Sequence, residues 1–325
     1  MNPLQKSISL ISGMSLVKKT LIVFLCLLFF VLVVEQPGSP DAKRLKGAKL
    51  LFPKLLASQA VKVELTNLPG LTSALILSKT EGQWQVVNGH SFPADRERVE
   101  QFLSILENLV DEQRVSNNPD RVSVFGLDEK TAPHAQVWDS RARLVADLLV
   151  GKTDAEGRQY VRKTASKEVV LVTRTLAPPL LQDLDGWKDK TLFSVTEKDA
   201  QRIALSKGGE ETILEKKGEA WRMLSPEDRE PDSLALRTFF DQIATFRADR
   251  VADSLEGTQG DFEKPDYKLS VRLADGSLKV VVFSASKDKA SYYAKNGDKS
   301  LIYIVSPSQV ENLFGLKLKS DTPAQ

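Results

Sequence analysis

At 325 residues and 36.0 kDa, the chain is long enough for two ordinary domains and a tail. Hydrophobic residues make up 42% and charged residues 27%, the balance of a folding protein, and a net charge of only +2 argues against the clustered basic face of a nucleic-acid binder. The single cysteine, Cys26, excludes an intrachain disulfide and a cysteine-based metal site.

In chain order, the first feature is Leu21–Val34, "LIVFLCLLFFVLVV", which lacks any polar side chain and follows Lys18 and Lys19. A bilayer core of ~30 Å needs about 20 helical residues. With Leu16 to Thr20 added, and their lysines reaching back to the interface, the segment attains the lower limit of a span. The chain after Val34 carries no small-residue cleavage site, which favours an uncleaved anchor over a signal peptide. We therefore expect a cytoplasmic N-terminus over 1–19, a transmembrane signal anchor over 20–35 and a flexible linker over 36–47. Basic residues flank the span on both sides, so charge counting leaves orientation open. Long C-terminal domains translocate largely regardless of charge, which puts the body outside the cytoplasm.

The body opens with a strand in which Val61, Val63 and Leu65 alternate with polar residues, and "SALILSKT" and "QWQVVNG" continue the β pattern. Asp95 is placed to cap a helix whose Val99, Phe102, Leu103, Leu106, Leu109 and Val110 share one face. Strands return in "HAQVWDS", "RLVADLLVGK", "RQYVRKT" and "EVVLVTR", with turns at Asp139-Ser140-Arg141 and Asp154 to Gly157. These elements form a first unit, residues 48–182. An inter-unit linker follows over 183–199.

The second unit, 200–316, repeats the first. Trp221 stands 137 residues after Trp84, and Asp232 stands 137 after Asp95. The helix stripe Leu236, Phe239, Phe240, Ile243 and Phe246 keeps that offset. "YVRKTASKEVVLVT" from Tyr160 and "YAKNGDKSLIYIVS" from Tyr293 then match at 133. A polar tail, 317–325, closes the chain. The expected fold class is α+β: an N-terminal transmembrane helix, then two tandem duplicated α+β units, each with one helix on a mostly antiparallel sheet. Trp84, Asp95, Phe102, Trp221, Asp232 and Phe239 are the expected structural anchors of the two copies.

Chemistry is sparse. His90 and His134 have no second His or Cys nearby in sequence, so neither belongs to a recognisable metal motif. "VGKT" (Val150 to Thr153) resembles the end of a phosphate loop, but Ala146 stands where the first glycine belongs and no helix follows, so it reads as a hairpin turn. Asp183, Asp185 and Asp189 cluster around Trp187 without calcium-loop spacing, which reads as a solvated linker with the tryptophan docked between units. Tyr160 with Arg162, and Tyr293 with Lys295, recur in corresponding strands and are candidate partner- or glycan-binding residues, with sheet packing as the plainer reading. No catalytic, cofactor-binding or metal-binding residue is assigned, and no cofactor is expected.

The motifs "GQWQV…PAD", "FGLDEKTAP", "VGKTDAEGRQYVRK", "VVLV" and "WKDKTLFSV", in this order and spacing, resemble the bacterial domain of unknown function 4340 family. The resemblance runs from the anchor to about Phe314, and it is weakest in the second copy, where Asp261-Phe262-Glu263 replaces the Gly-Leu-Asp turn and the Gly151 position is lost. It implies a single-pass protein of the bacterial cytoplasmic membrane with an extracytoplasmic or periplasmic body, auxiliary to an ABC-type transport or gliding-related system. No catalytic residue comes with it. The expected partners are the membrane, through Leu21–Val34, and a transporter permease and ATPase complex, with no nucleic acid. The expected role is a non-enzymatic accessory or scaffold protein, with a cell-envelope glycan-binding module and then a hydrolase as alternatives.

Overall fold

The computed structural model describes residues 49–88, 90–180, 182–252, 260–297, 301–316 and 318. The first half builds β1 (Ala60–Thr66), β2 (Leu75–Thr80), β3 (Gln83–Asn88), β4 (His90–Pro93), α1 (Arg96–Glu107), β5 (Gln113–Ser116), β6 (His134–Asp139), β7 (Leu144–Thr153), β8 (Gln159–Lys163), β9 (Val169–Val172) and the short α2 (Ala177–Leu180). The second half builds β10 (Thr191–Phe193), β11 (Ala200–Lys207), β12 (Glu210–Lys217), β13 (Ala220–Ser225), α3 (Ser233–Ala244), β14 (Phe246–Arg247), β15 (Arg250–Val251), β16 (Tyr267–Leu273), β17 (Leu278–Ala285), β18 (Tyr292–Asn296), β19 (Ile302–Val305) and α4 (Pro307–Phe314).

The strands pair antiparallel throughout. One sheet has nine strands in the order β4-β3-β2-β1-β6-β7-β8-β9-β5, and the other has eight in the order β13-β12-β11-β16-β17-β18-β19-β15. Without β4 the two orders are identical, position for position. The register agrees as well: Leu65 faces Ala135 as Leu205 faces Leu269. The repeat written in the sequence is therefore a repeat of topology.

This architecture corrects the expected fold class. The described residues are mainly β, with two large antiparallel sheets, rather than α+β. The clear alternation in the sequence marks the central strands, whereas β4, β5 and β15 are short edge strands with little periodicity and went uncounted. Among the described residues no helix is long and apolar enough to cross a membrane. The segments expected as cytoplasmic N-terminus, transmembrane anchor and linker, 1–47, lie outside the described residues.

The helices form for local reasons. Asp95 accepts a hydrogen bond from the Arg98 amide at 3.2 Å and Asp232 from the Ala235 amide at 2.8 Å, so both helices open with a carboxylate on an otherwise unpaired N–H. Their buried faces are Val99, Phe102, Leu103 and Leu106 in α1, and Leu236, Phe239, Phe240 and Ile243 in α3. Each face lies in the core of its own unit, against alternate residues of the strands such as Val63, Leu65 and Val137, or Ile203, Leu205 and Val271.

The stretch 183–199 is an ordered joint. Trp187 is fully buried in the first core, edge-on to Phe102 at 5.6 Å between ring centres. Lys188 bridges to Ala94 in the first unit, and β10 then pairs with β14 in the second. From the other side, Phe92 packs against the second core while Lys188 lies 4.3 Å over its ring.

Candidate functional site

The outer face of the first sheet, away from α1, holds the expected polar residues. Along β6, His134, Gln136 and Trp138 alternate with the buried Ala135 and Val137, so they point away from the core. His134 Nε2 lies 2.5 Å from Asp147 Oδ1 on β7, and Thr164 Oγ1 donates to the same oxygen at 2.7 Å. Burial pushes the Asp147 carboxyl up, but the hydrogen bonds from His134 and Thr164 outweigh it and hold the group below its ordinary value. Thr164 and Asp147 both meet one imidazole nitrogen, Nε2. A nucleophile–base–orienter relay needs one partner on each ring nitrogen. The cluster is a polar pairing across the outer face of the sheet. His90 is exposed on the edge strand β4.

The two tyrosine–cation pairs do not form an exposed patch. Residues 119–133 fold over the far end of the same sheet face as a cap, built on a short 3-10 helix, Pro119–Phe125, that ends at Gly126 in the left-handed conformation. Tyr160 stacks beneath it on Phe125 at 4.9 Å, and the buried Arg162 pairs with Glu129 at 2.7 Å and donates to the Ser166 carbonyl. In the second unit Tyr293 is buried in a small cluster with Ala252 and Ile304, against Phe262, and only Lys295 is exposed, 6.0 Å above the Phe262 ring. The recurrence that singled out these four residues is a recurrence of cap packing.

"VGKT" belongs to the same cap. Gly151 lies within β7, where a Cβ would sit 2.3 Å from the Phe125 carbonyl oxygen, and Lys152 donates to the Val124 carbonyl. The lost Gly151 position of the second copy is Ser284, whose Oγ accepts from the Asp261 amide at 3.0 Å. The acidic cluster is likewise structural: Asp183 accepts from the Gly186 amide, Asp185 pairs with Lys188 at 2.8 Å, and Asp189 accepts from the Thr191 amide.

The structural anchors sit where the repeat placed them: Trp84, Phe102, Trp221 and Phe239 in their cores, and Asp95 and Asp232 at their helix starts. Around the two tryptophans, however, the copies part. In the second unit a groove of about 590 Å³ opens beside α3, floored by Trp221, Leu236 and Phe240 and bordered by Thr196, Glu197 and Glu230. The side chains themselves are buried in both units: Trp84, Val99 and Leu103 are 4%, 0% and 1% exposed, and Trp221, Leu236 and Phe240 are 7%, 8% and 5%. Leu55 is buried in the first core, and the adjoining turn Ala57–Gln59 lies against α1. Sequence reasoning missed the groove because the cleft forms where the segment before β11 meets β13 and α3, which no local pattern encodes. "KLLF" at Lys49 to Phe52 and "KTLF" at Lys190 to Phe193 start the same repeat. Counting back from the matched Ala60 and Ala200, the buried Leu55 stands opposite the buried Val195, and the exposed Leu56 opposite Thr196.

A family model described as a domain of unknown function, DUF4340, matches residues 84–266, more than half of the chain. The chain belongs to the DUF4340 family. The DUF4340 match opens at Trp84 and closes just before β16, so it takes in both capped helices, the joint with Trp187 and the groove's Trp221. It thus spans most of the first copy, the joint and the head of the second. No curated protein and no solved structure matches the chain.

Proposed function

We propose that this DUF4340 protein is an accessory or scaffold protein that works through protein–protein contacts. In this reading it is held at the bacterial cytoplasmic membrane through Leu21–Val34, with its body on the extracytoplasmic side. The observation that carries the reading is the cleft beside α3, lined by Trp221, Leu236 and Phe240 and bordered by Thr196, Glu197 and Glu230. An open, ligand-sized cleft with an apolar floor suits recognition. The place in an ABC-type transport or gliding-related system is the expectation that accompanies the family resemblance. The glycan-binding alternative rested on Tyr160, Arg162, Tyr293 and Lys295, and the cap packing of three of them weighs against it.

The test is a crosslinked pull-down of tagged full-length protein from native membranes, read by mass spectrometry against the residue 1–47 segment alone. Enrichment of permease and ATPase subunits by the full chain is the expected result. Recovery of the full chain with no partner enriched over the segment would overturn the proposal.

A further inference from the structure

On the outer face of the first sheet, Lys62 of β1 stands opposite Trp138 of β6. On that of the second, Arg202 of β11 stands opposite Arg272 of β16. These are one position of the repeat. The register shifts just before Lys62 as it does just before Arg202. The turns that follow are closed alike, by the Asp139 amide on the Arg143 carbonyl and the Leu273 amide on the Ser277 carbonyl, and they bring Leu144 beside Trp138 and Leu278 beside Arg272. In both copies the first cation has a carboxylate: Glu64 lies 2.8 Å from Lys62, and Glu215 lies 3.0 Å from Arg202. The copies differ in what stands opposite. The first places an indole there, with Lys62 4.3 Å over its ring. The second places another guanidinium.

Like charges directly opposite on neighbouring strands destabilise a sheet. Arg272 is exposed, and among the described residues no carboxylate pairs with it. The turn carboxylate Asp275 is taken up by Ser277, whose amide and hydroxyl both donate to it. The carboxylates nearest on the same face, Glu211 and Glu215, stand on β12, one strand further out than β11.

Beside the arginines the surface dips. Ser270 lies on the same face between Arg272 and the exposed Lys268, about 7 Å along the strand from each. Opposite Ser270 is Ala204. Two small side chains are thus flanked by three long cationic ones, with the Ser270 hydroxyl among them as a donor. Ile213 and Val280, opposite Ala204 and Ser270, border the dip on its remaining sides.

The geometry points to an anion-binding site over Ser270, in which Arg202, Arg272 and Lys268 hold an oxyanion of the phosphate class. The guanidinium fork matches phosphate oxygens in pairs, and lysine adds a point charge. A bound phosphate turns the repulsion between the two arginines into a shared attraction. Leu278, opposite Arg272, is 51% exposed and gives the site an apolar lip. A lipid headgroup and a soluble phosphate ester offer the same oxyanion. The site is independent of the accessory role.

The experiment follows thermal unfolding of the full-length protein in mild detergent, in inorganic phosphate and in chloride of matched ionic strength. Phosphate should raise the midpoint, as a ligand bound only by the native state does. Phosphate also stabilises proteins by exclusion from their surface, so the variants decide. Arg272→Gln removes one of the opposed charges. It should keep or raise the midpoint in chloride and lose most of the phosphate increment. Arg222→Gln, at the edge of the same face on β13, should retain that increment. No increment in the parent, an equal one in Arg272→Gln, or an equal loss in Arg222→Gln would overturn the inference. So would a midpoint in chloride clearly lowered by Arg272→Gln, which would show that the arginine serves the fold. Reconstitution in phosphatidylcholine vesicles, with and without phosphatidylglycerol, then separates the sources. A midpoint raised by phosphatidylglycerol, insensitive to added phosphate and lowered again by Arg272→Gln, supports a headgroup in the site. A phosphate increment of the same size in both vesicles supports a soluble ester.

Discussion

Asp95 and Arg247, 152 residues apart, meet at 2.7 Å across the two units. Asp95 uses its other carboxylate oxygen to cap α1 and its own amide to donate to the Trp187 carbonyl at 2.8 Å. One residue thus starts a helix, seats the joint and holds the second unit. Its repeat partner Asp232 caps α3 and donates its amide to the Leu318 carbonyl.

These contacts differ in worth. Removing a helix cap costs about 0.5–2 kcal/mol, whereas a largely exposed ion pair contributes about 0–1 kcal/mol. The Arg247 side chain is 41% exposed. Asp95→Ala and Asp232→Ala should therefore lower the urea midpoint clearly, and Arg247→Ala should barely move it. If Arg247→Ala matches Asp95→Ala, the inter-unit pair rather than the cap is the main contribution of Asp95.

Gly151→Ala tests the cap over the first sheet. The added Cβ would meet the Phe125 carbonyl oxygen and the Leu127 side chain, and a backbone atom cannot rotate away. Overpacking of this kind costs about 1–3 kcal/mol. The strain should be local, so hydrogen exchange should quicken at the Leu127 and Ala132 amides, which bond to Val122 and Asp128 within the cap. Unchanged exchange there would show that the cap does not depend on the close approach.

The two phenylalanine anchors should be equal in stability and unequal in what they report. Phe102→Ala and Phe239→Ala each empty a fully buried ring and should cost about 3–5 kcal/mol. Phe102 alone of the pair stands edge-on to Trp187. Its loss should change tryptophan fluorescence, and the change should vanish when Trp187 is also replaced by Phe. A change that survives the second substitution would mean that another indole reports it.

The duplication and both helix caps were legible in the sequence, because Trp84/Trp221 and Asp95/Asp232 are rare or positionally strict residues at one offset. The sheet size was not, since β4, β5 and β15 are too short to show a period of two. For Tyr160 and Tyr293, alternation gives the outer face, and only the tertiary fold brings Phe125 and Phe262 over that face to pack on them. The joint reads in sequence as a solvated linker with Trp187 docked between units, because its order comes from contacts with both units, such as Lys188 with Ala94 and with Phe92, which no local pattern encodes. The groove lies beyond a local reading altogether. Its lining, from Thr196 through Trp221 to Phe240, is brought together only by the tertiary fold.

Acid should unfold the chain partly through Asp139. Its carboxylate receives the Arg143 guanidinium and the backbone amides of Arg143 and Arg141 in the β6–β7 turn. The Arg143 side chain above all, followed by those amides, holds the carboxyl below its ordinary 3.8, against the upward pull of burial. Because the folded value lies under the unfolded one, near about 3.9, the ionised group stabilises the fold at every pH above that value. The contribution is lost as pH falls through the lowered folded value. Stability should therefore decline below about pH 4, and Asp139→Asn should lower the midpoint at pH 7 while flattening that decline. Asp147, lowered by His134 and Thr164 against its burial, has the same sign and keeps part of the acid limb in the variant. Parallel acid limbs for parent and Asp139→Asn would show that the turn carboxylate titrates alike in the folded and unfolded chain.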